Sequence, residues 1–359
     1  MLSFRQLAGV VVVLLVALLP ARAAEKMVLV AGGGTEADGP ATRAKLNGPF
    51  GVDFDKGGSM FIVEMVGLRV LKVDDRGTLS TVAGTGKKGN GGDGGPASRA
   101  EFDGPHNLVV GPDGLIYVAD TWNNRVRKID PKTGVISAFA GTGEKGFGGD
   151  GGSAAAARFG GVYCIAFDPK GEHMYLADLD NRRVRAIDMK TGTVSTVAGN
   201  GQKGVPEDGA EAVKAPLVDP RAVAADGAGN VYVLERSGHA LRVIDAKGKI
   251  RTVAGTGKAG AAGDGGDALK ATLNGPKHLC VDGDGNVLIA DTENHLIRKY
   301  LPAEGTIVRV AGTGTKGTGG LNGPPEKAEL NQPHGVYVHP SGVLYIADST
   351  NNRVLRIEP

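Results

Sequence analysis

Two histidines of this 359-residue chain, His106 and His334, each follow a proline in strings of similar form, FDGPHNLVV and LNQPHGVYV. An imidazole at such a place can bind zinc, move a proton or hydrogen-bond a ligand. The same position in four related strings holds Phe50, Tyr163, Arg221 and Lys277, and His278 follows one residue later. These seven side chains vary while the strings around them repeat, which is how a recognition surface on a constant scaffold reads. Catalytic zinc takes three protein ligands plus water. Only His106 and His334 are in register, and strand alternation sends His278 to the other side of the backbone. The set therefore offers two histidines, His106 and His334, to a metal and otherwise suits hydrogen bonding.

The elements that must position these residues are repeats. The related strings begin at Leu46, Phe102, Phe159, Leu217, Leu273 and Leu330. They recur at a nearly constant interval, so the chain holds six units. Each unit reads as a short apolar strand, a turn such as PDG, a second strand such as LIYVAD, and a polar loop such as DTWNNR. A third strand such as RVRKID follows, and a fourth ends in VAG or FAG before a Gly-rich loop. Small antiparallel sheets of this kind bury both faces only when packed radially, as in a propeller. The last unit stops after three strands at RVLRIEP, while MVLVAG at residues 27–32 repeats the missing fourth. The expected fold is all-β: a single six-bladed β-propeller of four-stranded antiparallel blades over residues 24–359, closed by the N-terminal strand completing the last blade.

Antiparallel order puts the DTWNNR-type loops, the Gly-rich loops and the seven candidate residues on one face, around the mouth of the central channel. Trp122, the one tryptophan, is a loop-tip anchor there. Asp120, Asp178, Asp291 and Asp348, with Glu64 and Glu235 in divergent units, recur too often for catalysis. They read as turn acceptors, with Arg125, Arg127 and Lys128 as third-strand partners. Asp93, Asp150 and Asp264 lie in GDGG contexts that faintly resemble calcium loops. Each loop offers too few carboxylates, however, and the glycines suit turns of positive φ.

The N-terminus has Arg5, an apolar run from Leu7 to Leu19 and Ala21-Arg22-Ala23, the pattern of a cleaved signal peptide over residues 1–23. The run is short of the roughly 20 residues a membrane-spanning helix needs. Its removal takes two arginines and no acid, leaving 39 basic against 39 acidic side chains, without the excess a nucleic-acid binder uses. Cys164 and Cys280 lie on first strands two blades apart, too far for a disulfide, and are expected as free thiols.

YVADTWNNRVRKID, LIADTENHLIRKY and LYIADSTNNRVLRIE resemble NHL repeats, and GDGGPASRAEFDGP resembles the linkers of bacterial secreted NHL proteins. That resemblance implies a binding propeller or, less directly, an enzyme. In the peptidyl-hydroxyglycine amidating lyases, similar Pro-His pairs supply zinc ligands. His106 and His334 would be the corresponding residues, with Tyr163 and Arg221 lining the pocket. Lactonase-like propellers centre a metal on inward carboxylate and amide side chains, and the ring here has no carboxylate. The sequence is read as a secreted or periplasmic, monomeric binding module for a protein, peptide or glycan. No cofactor is required by it, and zinc or calcium are the ions the channel could take. The alternative is a metal-dependent enzyme using His106 and His334.

Overall fold

The computed structural model describes residues 25–358. The expected leader, 1–23, lies outside them. Among the described residues no helix is long and apolar enough to cross a membrane.

Six antiparallel sheets form a six-bladed β-propeller. Blade 1 runs Pro49–Phe54, Met60–Glu64, Arg69–Val73 and Thr78–Ala83 from the axis outward. The innermost strands of blades 2 to 6 are Pro105–Val110, Val162–Phe167, Pro220–Ala225, His278–Val281 and Gly335–Val338. Blade 6 continues through Leu344–Asp348 and Arg353–Glu358, and its outermost strand is Lys26–Gly32, paired antiparallel with Arg353–Glu358. The N-terminal strand therefore closes the ring. Met27 and Ala31 are fully buried in it, and Ser349 Oγ donates to Pro49 O at 2.6 Å across the blade 6–blade 1 seam. Blades 1, 4 and 5 add a two-residue fifth strand at the outer edge (Gly39–Pro40, Ala210–Glu211, Gly266–Asp267), which the four-strand expectation did not contain. The linker that follows each fourth strand supplies it, because its backbone returns beside the neighbouring outer edge.

Apolar side chains on facing sheets make the core. Between blades 1 and 2, for example, Phe61 and Val63 pack with Phe102, Leu108, Val118 and Ile129, all buried. Short strands of this sort read as nearly continuous hydrophobic runs because both faces are covered.

A carboxylate at the end of every second strand caps the loop that opens its blade. The six backbone N–H groups of Asn47, Asp103, Gly160, Val218, Asn274 and Asn331 donate to Glu64, Asp120, Asp178, Glu235, Asp291 and Asp348, at 2.6 to 2.9 Å. A third-strand arginine then neutralises each acid. Arg353 Nε lies 2.6 Å from Asp348, Arg242 Nη2 2.7 Å from Glu235, and Arg69 Nη2 2.7 Å from Glu64. The GDGG aspartates complete this arrangement and do not gather as calcium ligands. Asp93 meets Arg125 and Arg127 at 2.9 Å, Asp150 meets Arg185 at 2.6 Å, and Asp264 meets Arg298 at 2.8 Å. Their glycines, Gly92 and Gly94 among them, hold the positive φ that the turn requires.

Two measurements test this architecture. A chain starting at Gly33 is expected to melt roughly 10 °C or more lower, the equivalent of about 7 kcal/mol at this size. Appending residues 26–32 after the last strand should restore the melting temperature, followed by circular dichroism. Asp291→Ala takes one of its two carboxylates from buried Arg298 and leaves the Asn274 N–H without its acceptor. That variant is expected to cost about 3–5 kcal/mol in urea unfolding, with the m-value unchanged.

Candidate functional site

Each candidate mouth residue is placed by a bulge. In blades 1 to 4 the first-to-second strand register skips Phe50, His106, Tyr163 and Arg221. In blades 5 and 6 the N–H groups of Lys277 and His334 reach the carbonyls of Ala290 and Ala347, whose Cα partners are already His278 and Gly335. Two residues thus oppose one in all six blades. Bulges of this kind re-aim a side chain, and here they turn one residue per blade into the mouth.

The bulge corrects the expected direction of His278. Alternation alone sends it away from the channel; the extra residue Lys277 breaks that alternation, and His278 enters the bore. Its Nε2 lies 3.1 Å from Asn107 Nδ2 of blade 2, the blade diametrically opposite, and the Val336 N–H points at its Nδ1 at 3.3 Å. Asn107 Oδ1 accepts from Ile165 N at 3.0 Å. The equivalent positions of the other blades hold Gly51, Cys164, Ala222 and Gly335, small enough to let this pair meet. Asn107 and His278 close the channel beneath the mouth as a polar plug.

Above the plug the ring is continuous over five members. Phe50 stacks on His334 at 3.9 Å and meets His106 edge-on at 5.3 Å. His106 packs against Tyr163 at 4.7 Å, and the Arg221 guanidinium lies 4.6 Å over the Tyr163 ring. Lys277 pairs with Glu293 at 2.7 Å. Trp122 reaches His106 edge-on at 5.5 Å and is 49% exposed, so the loop-tip anchor and the ring form one surface. All eight sequence-picked residues are brought together, with His278 below the rest.

The structure adds residues that the repeat reading passed over. Asn107 hides in the bulge. Arg236 stands where other blades carry Thr121, Thr292 and Ser349, hydroxyls that donate to the next blade's carbonyls. Asp219 stands where blades 1, 2, 3 and 5 carry a glycine; it accepts from Arg236 Nε at 2.9 Å and from the Ser237 hydroxyl. Departure from the repeat at these two positions was the available signal.

The mouth is cationic with neutral imidazoles. His106 Nδ1 donates to Gly104 O at 2.6 Å, and His334 Nδ1 to Gln332 O at 2.8 Å. Donation from Nδ1 leaves Nε2 of each ring as an acceptor. Burial first, then the charge of Arg221, pushes the pKa of His106 down to about 3. Burial and Lys277 hold His334 well below the usual range, and burial with Arg221 pushes His278 down to about 4. Burial likewise lowers Arg221, to about 10, and Lys277.

Two Nε2 lone pairs, each with Nδ1 held by a carbonyl, are the ligand type a histidine metal site uses. His278 does not supply the third, because both its nitrogens face protein donors, the Val336 N–H and the Asn107 amide, and its one lone pair accepts from one of them. Among the described residues, three ligand groups come within 4.8 Å of one another only at Asp168, Glu172 and His173, in the first turn of blade 3 on the opposite face. The cysteines are free, Cys164 buried and Cys280 half-buried; burial raises their thiols to about 11 and about 12.

A Teneurin NHL domain model matches residues 92–262, and an NHL repeat model matches 273–300 and 330–357. The chain is 26% identical over 268 residues to the chloroplastic protein SUPPRESSOR OF QUENCHING 1 of Arabidopsis thaliana, covering 72% of this chain and 25% of that protein. It is 26% identical to NHL repeat-containing protein 2 of Bos taurus, covering 72% of this chain and 39% of the relative. The chain thus spans well under half the length of these curated relatives. An auxiliary nutrient binding protein from Bacteroides thetaiotaomicron shares the fold, with a TM-score of 0.66, 16% identity, and 93% and 76% of the two chains covered.

The depressed imidazoles have a measurable consequence. Unfolded histidines titrate near 6.5, so on acidification the unfolded chain takes up these protons before the folded one. Their contribution to stability is present above about pH 6.5 and is lost as pH falls toward 4 and 3. The ring C–H resonances of His106 and His334 are expected to stay at neutral-imidazole shifts from about pH 8 to about pH 5 in NMR titration.

Proposed function

Given that this chain is an NHL-repeat six-bladed β-propeller, we propose that it is an extracytoplasmic binding module whose ligand sits in the channel mouth. One observation carries the reading: six blades each spend a bulge to aim one side chain, of five kinds in all, at one closed-bottomed depression. A scaffold needs no such variety. The plug of Asn107 and His278 makes the depression a seat, while Phe50, His106, Tyr163 and Trp122 give it aromatic walls. Rigid aromatic groups of this type anchor ligands at low entropic cost. The nutrient-binding description of the Bacteroides neighbour supports this reading. The leader pattern supports a secreted or periplasmic setting, where the ligand would be a protein, peptide or glycan.

The free Nε2 atoms of His106 and His334 favour one second reading, a metal-dependent enzyme. Metal analysis separates the two: the binding reading expects no stoichiometric metal after dialysis. Zinc retained by the wild type and lost in His106→Ala and His334→Ala would turn the assignment to the enzyme.

The binding reading is tested on glycan and peptide microarrays. Tyr163→Ala and Trp122→Ala are each expected to weaken captured ligand about tenfold or more, as for an interface anchor. Lys170→Glu, in a turn on the opposite face, should change nothing. Retention by both mouth variants, folded by thermal melt, rules this mouth out.

A further inference from the structure

Arg221 differs from the other buried arginines. Arg127, Arg185, Arg298, Arg242 and Arg353 are each paired with carboxylates and, in most cases, backbone carbonyls. Arg221 is only 4% exposed, yet among the described residues it has no carboxylate within 4.0 Å. Its one hydrogen bond is a long contact, 3.4 Å, from Nη1 to Tyr163 O. A guanidinium carries five N–H donors in a planar fork. The unused donors of Arg221 are not sealed in protein, so they open onto the mouth.

The surroundings do not neutralise it. Asp219, the nearest acid in sequence, spends Oδ2 on Arg236 and Ser237 and holds Oδ1 buried without a partner, beyond 4.0 Å of Arg221, and Glu293 is taken by Lys277 and Gln332. Three cations, Arg221, Arg236 and Lys277, thus face two carboxylates and two neutral imidazoles. A buried cation left unpaired is costly unless a ligand completes it. A planar fork matches a carboxylate in bidentate fashion. The Nε2 atoms of His106 and His334 are acceptors and call for hydroxyl donors beside that carboxylate. A phosphate dianion would instead set its own lone pairs against them. The Tyr163 and Trp122 rings offer faces for an apolar flank.

Building on the reading of the mouth as a binding site, we propose that it takes a sugar acid, a hydroxylated ring bearing one carboxylate. Arg221 receives the carboxylate, Lys277 flanks it, and His106 and His334 accept from hydroxyls. A cleft of about 460 Å³ between blades 3 and 4 shares Arg236 and Asp219 with the mouth and adds Arg182, Lys203 and a Lys145–Asp180 ion pair. Arg182 Nε is itself buried without a partner there. Further acidic units of an oligosaccharide would continue along this cleft.

Trp122, as the one tryptophan, reports on the site directly. The mature protein is titrated with galacturonate and glucuronate, with galactose, glucose and inorganic phosphate as controls, following tryptophan emission and calorimetry. Uronates are expected to give a saturable change and neutral hexoses none. Tetragalacturonate should bind about tenfold tighter than the monomer through the added charges. Arg221→Lys should weaken uronate about tenfold or more, the loss expected when the bidentate fork is replaced by a point charge. Lys277→Gln, at a half-buried position, serves as a second variant and should weaken it about threefold. Equal binding of neutral hexose or phosphate would overturn the assignment, as would unchanged affinity in both folded variants. Arg221-dependent capture of a peptide with a free C-terminal carboxylate, but not of its amide, would overturn it in favour of peptides. If uronates fail while Tyr163→Ala still abolishes a microarray ligand, the sugar-acid assignment falls and the mouth remains the binding site. If the microarray ligand also survives that variant, both fall.

Discussion

A buried carboxylate facing an incoming backbone N–H, and neutralised by an arginine of the adjoining third strand, is the contact on which this propeller rests. It occurs in all six blades, from Glu64 to Asp348. Each acid ties the start of its blade's first strand to the end of its second and the flank of its third. Burial pushes Glu64, Asp120, Asp178, Asp291 and Asp348 upward, with Asp178 and Asp291 reaching about 6, so the arginines are needed to keep them charged near neutral pH. A half-made arrangement would leave a charge stranded in low dielectric, at a cost of several kcal/mol. That all-or-none character explains why the acid and its arginine recur together in every blade, joined in blades 2, 3 and 5 by the GDGG aspartate.

Holding the blade at that point lets the inner strand begin with a bulge. The cap secures the loop before the mouth residue, and the ladder secures the strand after it. The one unpaired residue between them is then free to vary without loosening the sheet. Six bulges at one radius produce a depression whose lining can change from Phe50 to Arg221 on an otherwise constant scaffold. Below it, small residues in four blades make room for Asn107 and His278 to meet across the axis.

The blades are unequal where the mouth turns cationic. Blades 2, 5 and 6 clasp their neighbour through Thr121, Thr292 and Ser349, whereas blade 4 gives that position to Arg236 and the preceding turn to Asp219. Blade 4 also contributes Arg221. Specialisation is concentrated in one blade and its junction with blade 3, where the basic cleft opens.

The sequence by itself determined the blade number, the closure by residues 27–32, the structural role of the repeated acids and which residues open each first strand. A nearly constant repeat interval turns each into a question of alignment between copies of one chain. It did not determine where those residues point. Strand alternation is a local rule, and it failed at His278 because a bulge costs one residue of register and leaves no mark in the residue pattern. Nor could it show that Arg127 is paired and Arg221 is not. Both are arginines on strands, and the difference lies in Asp93 folding back from a distant loop onto one of them. Only the tertiary structure decides which charges are answered, because an ion pair depends on separation in space and not on position along the chain.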